Sequence, residues 1–415
     1  MSKFKGSNIV LVKQHNRTLI MNHIIQEDAV SRADLSRITG LSKGGITQII
    51  NDLLKLDLIT EKRSPKGNPG RIPHFLELNT EKYFTIAVDL TRNNSVISLV
   101  DLKGKIRKKV KYDFTLADTP YSILNAVCIL IGEILDPIKT KAILGIGVIS
   151  PGPVNKEKGV IQNPHNFPGW SNIPIRDIVH KKTGINVFLE NVANAYGIAE
   201  KYYGQGRKYR NFITIIVDEG IGSAIVIDRQ VFRGNSGYSN EFGHISIDRE
   251  GFKCTCGNIG CVEMYAALPK IIKQLENALD IGARSVFYEE IRKSRHITWD
   301  DILEGLRRYD DLSIKLLQKE GEFIGNALVS AINLLEPQAI FLGSQIARAG
   351  NFILEPLVAY VKDKIVTRSF EIPHISVSEI EDASLSGGAA MVLEHFINGD
   401  LGEYERVLSE VRQDN

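Results

Sequence analysis

Three of the four cysteines in this 415-residue chain fall in one run, EFGHISIDREGFKCTCGNIGCVE, as Cys254, Cys256 and Cys261, with His244 just upstream. So rare a residue does not cluster this way without a reason. The pattern H-x9-C-x-C-x4-C offers three thiols and an imidazole, a donor set suited to a tetrahedral structural zinc. Four protein ligands leave no open position for a catalytic water, so such a metal pins a loop. A disulfide framework is the alternative, but three clustered thiols leave one over and nothing else here reads as secreted. Cys128 sits apart, in the apolar run ILNAVCILIGEIL, and reads as a buried core residue.

The N-terminus, MSKFKGSNIVLVK, has only four consecutive apolar residues, Ile9 to Val12, too few for a signal peptide. No apolar run approaches the ~20 residues of a membrane span. The expectation is a cytoplasmic protein with no membrane partner. The length suggests two or three domains. A hydrophobic content of 43% supports a large core, so zinc need not supply the whole folding energy.

Charge is unevenly spread. Residues 1–78 hold 12 Lys and Arg against 7 Asp and Glu, and the remainder holds 39 against 42. A basic module on a slightly acidic body suits a polyanion partner for the first part only. That part reads as three helices and a hairpin. Leu19, Ile20, Ile24 and Ile25 keep helical spacing over Asn16 to Gln26. Ser31 can cap SRADLSRIT, with Asp34 completing a capping-box pair and Gly40 closing the helix. Ser42 opens SKGGITQIINDLLKL, where Ile46, Ile49, Ile50, Leu53 and Leu54 form one apolar stripe and Thr47, Gln48 and Asn51 face elsewhere. A strand LITEKR, a turn-rich SPKGNPG and a second strand RIPHFLELN complete the module.

This is the winged helix-turn-helix plan, whose third helix enters the major groove. The candidate contacts to double-stranded operator DNA are Arg32, Ser42, Lys43, Gly44, Thr47 and Gln48, with Lys66, Gly70 and Arg71 on the wing. An Arg on a Gly/Pro-rich tip can enter a narrow minor groove. Glycines at the helix start cost roughly 1 kcal/mol each, which suggests a close backbone approach to phosphate. The alternative is a module that binds protein.

From about Thr80 the texture changes. FTIAVDL, SVISLVDL, KIRKKVKYDF and ILGIGVIS read as strands, and NVFLEN, FITIIVDEG, SAIVIDRQVF and QAIFLGS form a second set, with helical stretches between. Alternating strands and helices predict an α/β body with covered sheets. Two similar sets predict two lobes with a cleft, ligands collecting at strand carboxyl ends. The expected organisation is a DNA-binding domain over 1–78 and a body over 79–400. Its lobes span 79–190 with the C-terminal helix, and 191–385. A charged tail covers 401–415.

The zinc run resembles the signature of the ROK family (repressors, open reading frames and sugar kinases). PGPVNKEKGVIQNPHNFPGW resembles that family's sugar-loop region. HNRTLIMNHI and SRADLSRITGLSKGGITQIINDLL resemble the winged helix of its repressor branch, xylose repressors in particular. The resemblance covers almost the whole chain and implies an actin-like, sugar-kinase-type pair of α/β lobes. It implies that Glu241, His244 and Glu263 face sugar hydroxyls, with His244 also a zinc ligand, and that Asn166 and Asn191 complete the ring. Such groups suit a sugar, whose hydroxyls both donate and accept. The alternative leaves Glu241 and Glu263 as solvated surface charges.

The family's kinases carry an Asp after the sugar-site Asn, as general base. In LENVANAY that position is Val192, which cannot take a proton. They also begin with Asp-x-Gly-x-Thr, where this chain has Asp89-Leu90-Thr91-Arg92-Asn93. Their second phosphate loop reads close to Gly-Thr-Gly-x-Gly-Gly, where this chain has Asp218-Glu219-Gly220-Ile221-Gly222-Ser223. A Glu219 carboxylate near a triphosphate would be repelled by roughly 4 kcal/mol.

The expectation is a sugar sensor that has lost ATP use: a homodimer or tetramer whose operator affinity is set by xylose or another monosaccharide. Val192 suits a ligand less polar at that end, such as a pentose, while a sugar 6-phosphate competes with that reading. An active sugar kinase and a scaffold that binds no DNA are the other classes.

Overall fold

The computed structural model describes residues 9–399 except 28, 64–73, 137–141, 165, 166, 168, 236, 238, 294 and 367–371. Lys66, Gly70, Arg71 and Asn166 lie outside the described residues, as does the 401–415 tail. Two compact units divide the chain, Met1–Ala195 with Ser384–Asn415, and Tyr196–Ala383.

The first unit begins with helices α1 (Ile9–Gln26), α2 (Arg32–Thr39) and α3 (Lys43–Lys55), and then strands β1 (Ile59–Arg63) and β2 (His74–Leu78). Local sequence decides these limits. Ser31 caps α2 in a capping box with Asp34, and Gly40 closes it in the left-handed conformation at φ 71°. The Ser42 side chain accepts from the Gly45 amide at 3.2 Å and opens α3. Ile46, Ile49, Ile50 and Leu53 of α3 are buried, as are Leu35 of α2 and Ile20, Met21 and Ile24 of α1. β1 and β2 pair antiparallel, Ile59 with Leu78, and Val30 adds a bridge to Leu76.

Helix α1 starts seven residues before the expected Asn16, at Ile9. Its polar side chains have a distant partner that local periodicity does not reveal. Gln14 Nε2 donates to the carbonyls of Asn398 (2.7 Å) and Gly399 (3.0 Å), Arg17 to Gly399 (2.8 Å) and Thr18 to Ile397 (3.1 Å). These are carbonyls at the end of the C-terminal helix, where the helix itself supplies no donors.

The body of this unit contains β3 (Tyr83–Leu90), β4 (Asn94–Asp101), β5 (Ile106–Asp113), α4 (Pro120–Leu135), β6 (Ala142–Ser150), β7 (Val154–Asn155), β8 (Val160–Ile161), α5 (Ile175–Thr183) and β9 (Val187–Asn191), and α6 (Val192–Tyr202) starts in it and runs on into the second. Its sheet has the order β5-β4-β3-β6-β9. The β3–β4–β5 meander is antiparallel, and β6 and β9 are parallel additions. Leu124, Val127 and Ile131 of α4 and Val179 of α5 share a core with Ile86, Val88, Val148 and Leu189. Cys128 is half-buried against this core, and burial raises its thiol pKa.

The second unit continues with β10 (Phe212–Val217), β11 (Ile221–Ile227), β12 (Gln230–Val231), α7 (Glu263–Ala266), α8 (Leu268–Asp280), α9 (Val286–Arg292), α10 (Trp299–Arg307), α11 (Asp311–Leu335), β13 (Ala339–Gly343), α12 (Asn351–Lys364) and β14 (His374–Val377). Its sheet, β12-β11-β10-β13-β14, repeats the first unit's plan. SAIVIDRQVF is therefore two strands joined by a turn at Asp228 and Arg229, both at positive φ. One core joins Ile213 and Ile215 of β10 to Ile271 and Leu275 of α8, Ile324 and Leu328 of α11, and Ile353 and Leu357 of α12.

The last helix among the described residues, α13 (Ala383–Asn398), begins where the chain crosses back to the first unit. Leu385 and Ala389 pack with Ala87 and Val100 in a small core separate from that of α4. A Cβ on Gly387 would stand 1.9 Å from the Ala195 carbonyl oxygen, and one on Gly147 would stand 2.2 Å from that of Gly388. Only glycine permits these approaches.

Candidate functional site

The stretch from Glu241 to Glu263 has little regular structure: a 3-10 turn at Phe242–His244 and isolated bridges at Ser246–Cys261 and Lys253–Ile259. Its backbone is nonetheless tightly knit. Ile247 N donates to Gly260 O at 2.9 Å, Cys254 N to Asn258 O at 2.8 Å, and Gly260 N to Phe252 O at 2.8 Å. Gly260 sits at φ 75°, and a Cβ there would stand 1.7 Å from the Asp248 carbonyl oxygen.

This folding brings the four sequence-predicted ligands together. One donor atom each from His244, Cys254, Cys256 and Cys261 lies within 4.8 Å of the other three. Cys254 Sγ is 3.7 Å from His244 Nδ1, and Cys256 Sγ is 3.7 Å from Cys261 Sγ. A tetrahedron with metal–sulfur bonds of about 2.3 Å has sulfur–sulfur edges of about 3.8 Å, so the donor set fits a tetrahedral metal. The Asn258 amide pulls the Cys256 thiol below its ordinary pKa, while burial pushes Cys261 up to about 12. Thiols so crowded resist ionising together, and a dication removes that conflict.

Metal on Nδ1 would leave His244 Nε2 for another partner, and it lies 4.0 Å from Glu241 Oε2. The Glu241 side chain is 63% exposed. Partial desolvation raises its pKa, His244 lowers it and Glu263 raises it further. Glu263 opens α7, and its Oε2 accepts from the Ile221 amide at 2.9 Å. It thereby braces the turn Asp218–Gly220, where Gly220 is so close that a Cβ would stand 2.7 Å from Glu263 Oε2. In the same turn, Asp218 accepts from the Ser344 hydroxyl at 2.8 Å. Glu263 is thus half-buried and engaged, not a solvated charge.

Asn191 belongs to the first unit. It ends β9, level with Ser150 at the end of β6, where parallel strands present their carboxyl ends. Its Oδ1 accepts from the Asn194 amide at 2.8 Å and caps α6. That leaves its Nδ2 as the available donor. Val192, half-buried, is next, in the first turn of α6.

Sequence reasoning missed the buried Glu190 beneath these residues. Its Oε1 accepts from the Asn191 amide and from Asn194 Nδ2, both at 3.0 Å. The ENVAN spacing was the available signal. Phe167 and Trp170, on either side of Gly169, are buried and stacked with centroids 4.6 Å apart.

On the helix-turn-helix, Lys43, Gly44, Thr47 and Gln48 are exposed on α3. A Cβ on Gly44 would meet nothing within 4 Å, so no internal packing requires glycine there. The Thr47 hydroxyl donates to the Lys43 carbonyl at 2.8 Å. Arg32 is differently placed: it pairs with Glu61 of β1 (Nε–Oε1 3.1 Å) and donates to Asn51 of α3 (3.1 Å). Among the described residues, no helix is long and apolar enough to cross a membrane.

The sequence and the fold both have known relatives. The profile of the ROK family matches residues 85–395, and that of the MarR family matches residues 15–67. The xylose repressor of Bacillus spizizenii is 28% identical over 392 residues, covering 93% of this chain and 97% of that protein. A glucokinase of Thermotoga maritima is 29% identical over 310 residues, covering 74% of this chain and 97% of its own. The crystal structure of a ROK family transcriptional regulator, a homologue of the Escherichia coli MLC protein, matches at a TM-score of 0.80 and 26% identity. It covers 95% of this chain and 99% of that one.

Proposed function

The chain belongs to the ROK family, and on that premise we propose that it is a sugar-responsive transcriptional repressor of carbohydrate-utilisation genes. One observation carries the reading: a winged helix-turn-helix with an exposed α3 face shares the chain with a ROK body that has Val192 after Asn191. Valine cannot serve as general base, and losing such a base typically costs on the order of 10²–10⁴ in rate. The body therefore senses sugar without phosphorylating it. The relatives fit this reading: the one named xylose repressor spans both parts, whereas the glucokinase covers 74% of this chain.

In this reading zinc is held by His244, Cys254, Cys256 and Cys261, and when bound it supplies a fixed charge that orders the loop. Asn166, Asn191, Glu241, His244 and Glu263 bind the sugar. Xylose is the first candidate, because Val192 suits a pentose better than the hydroxymethyl end of a hexose. Ser42, Lys43, Gly44, Thr47 and Gln48, with Lys66, Gly70 and Arg71 of the wing, meet the operator. A homodimer or tetramer places two recognition helices on a palindromic site. Sugar favours an arrangement in which those helices are wrongly spaced, and linkage requires DNA to weaken sugar binding by the same factor.

The test is binding to DNA upstream of the protein's own gene and its neighbours, at fixed salt, with and without a panel of xylose, glucose, N-acetylglucosamine and 6-phosphosugars. A tenfold shift by one sugar, about 1.4 kcal/mol, supports the reading and identifies the effector. Turnover of ATP with any sugar of the panel would restore the kinase reading that the glucokinase likeness keeps in view.

A further inference from the structure

The strongest unassigned feature lies in the DNA-binding module, and its meaning rests on the repressor reading. Arg32 is the first residue of α2. Its guanidinium forks onto Glu61, Nε to Oε1 at 3.1 Å and Nη2 to Oε2 at 3.3 Å, and Nη1 donates to Asn51 Oδ1 at 3.1 Å. Guanidinium has donors only, so the Asn51 atom facing it must be the oxygen, and the amide cannot be flipped. Asn51 Nδ2 then turns away, with no partner among the described residues. Asn51 is exposed, and it comes after Lys43 and Thr47 at steps of four residues along one face of α3.

We propose that Asn51 is a specificity-determining DNA contact that presents its amino donors, with Arg32 as the residue that positions it. Adenine's major-groove edge asks an asparagine for one acceptor and one donor side by side. Asn51's oxygen is turned toward Arg32 with one lone pair engaged, which leaves the amino group as the part of the amide it presents away from Arg32. Guanine presents two acceptors, O6 and N7, so Asn51 reads guanine. Arg32, neutralised by Glu61, contributes no phosphate contact.

The experiment is selection from a randomised duplex library by the full-length protein and its variants, and then titration of the selected site across salt. Wild type enriches a motif with guanine at one pair per half-site. Asn51→Ala becomes indifferent at that pair and binds the site roughly tenfold more weakly. Its position is exposed, so the fold survives the change. Arg32→Ala frees the amide and moves the same pair toward adenine, leaving the salt slope unchanged. Loss of a phosphate contact would instead lower that slope by about 1. Arg32→Lys cannot serve Glu61 and Asn51 together and behaves as Arg32→Ala does. A motif for Asn51→Ala that matches wild type at every pair, or a dependent pair that is adenine, overturns the proposal. If wild type binds no duplex in a salt-sensitive way, the repressor reading falls and takes this proposal with it.

Discussion

The two five-stranded sheets share one plan, the first three strands as a meander and the next two added in parallel, yet their polar loops are held by different means. In the first unit, Asn191 is fixed by a helix cap and the buried Glu190, and Phe167 and Trp170 stack in the core. In the second, the segment from Glu241 to Glu263 buries Phe242 and Val262 in the core at its two ends but leaves Phe252 and Ile259 exposed at 61% and 44% between them, where the four-residue ligand cluster gathers. A loop with apolar side chains to bury can be fixed by packing. Between its buried ends the second segment has less of such packing, and a metal held by the cluster would add order there.

The sharpest way to break this contrast is to remove the cluster. Cys261→Ser should leave less than one equivalent of metal per chain and weaken sugar binding by roughly 10- to 100-fold, while sugar-free operator binding persists. Metal analysis and calorimetry read both quantities. Full metal occupancy would remove Cys261 from the ligand set.

Next in size is a test of the second unit's core. Burial pushes the carboxyl of Glu320, on α11, up to about 8, although Gln274 donates to its Oε1 at 2.8 Å. The native state then holds a proton that the unfolded chain releases near pH 4.5, so stability falls as pH rises from about 4.5 to 8. Glu320→Gln should remove that slope and stabilise the unit more at pH 8 than at pH 4. Thermal melts at the two pH values decide this; equal gains at both would show that burial does not govern the group.

The first unit should answer to packing instead. Gly387→Ala forces a methyl against the Ala195 carbonyl and should cost about 2 kcal/mol, with the metal content unchanged. Loss of metal together with stability would erase the distinction between the two loops. The smallest effect is expected at the cap of α2. Ser31→Ala removes a capping box and should cost about 1 kcal/mol, seen as a few degrees in the melting of the DNA-binding module.

Legibility in the sequence tracked the range of the interactions. Ser31, Asp34, Gly40 and Ser42 act within three to five residues of their partners, so the helix limits of α2 and α3 could be read directly. The ligand cluster was legible because cysteine is rare and its spacing is a local matter. The start of α1 was not, because Gln14, Arg17 and Thr18 answer to carbonyls more than 370 residues away. The Arg32 bridge was hidden for the same reason, its partners lying 19 and 29 residues along the chain. Arg32 could be picked as a cation near DNA, but its pairing could not be foreseen.

The grip of α1 on the end of α13 has a consequence for how the protein is made. The ribosome delivers α1 first and residues 397–399 near the end of this sequence. Until then the first helix of the DNA-binding module lacks the carbonyls that Gln14, Arg17 and Thr18 hold. A nascent chain therefore carries a recognition helix on an unfinished base, and the module's anchorage is completed only after the sensor has been synthesised.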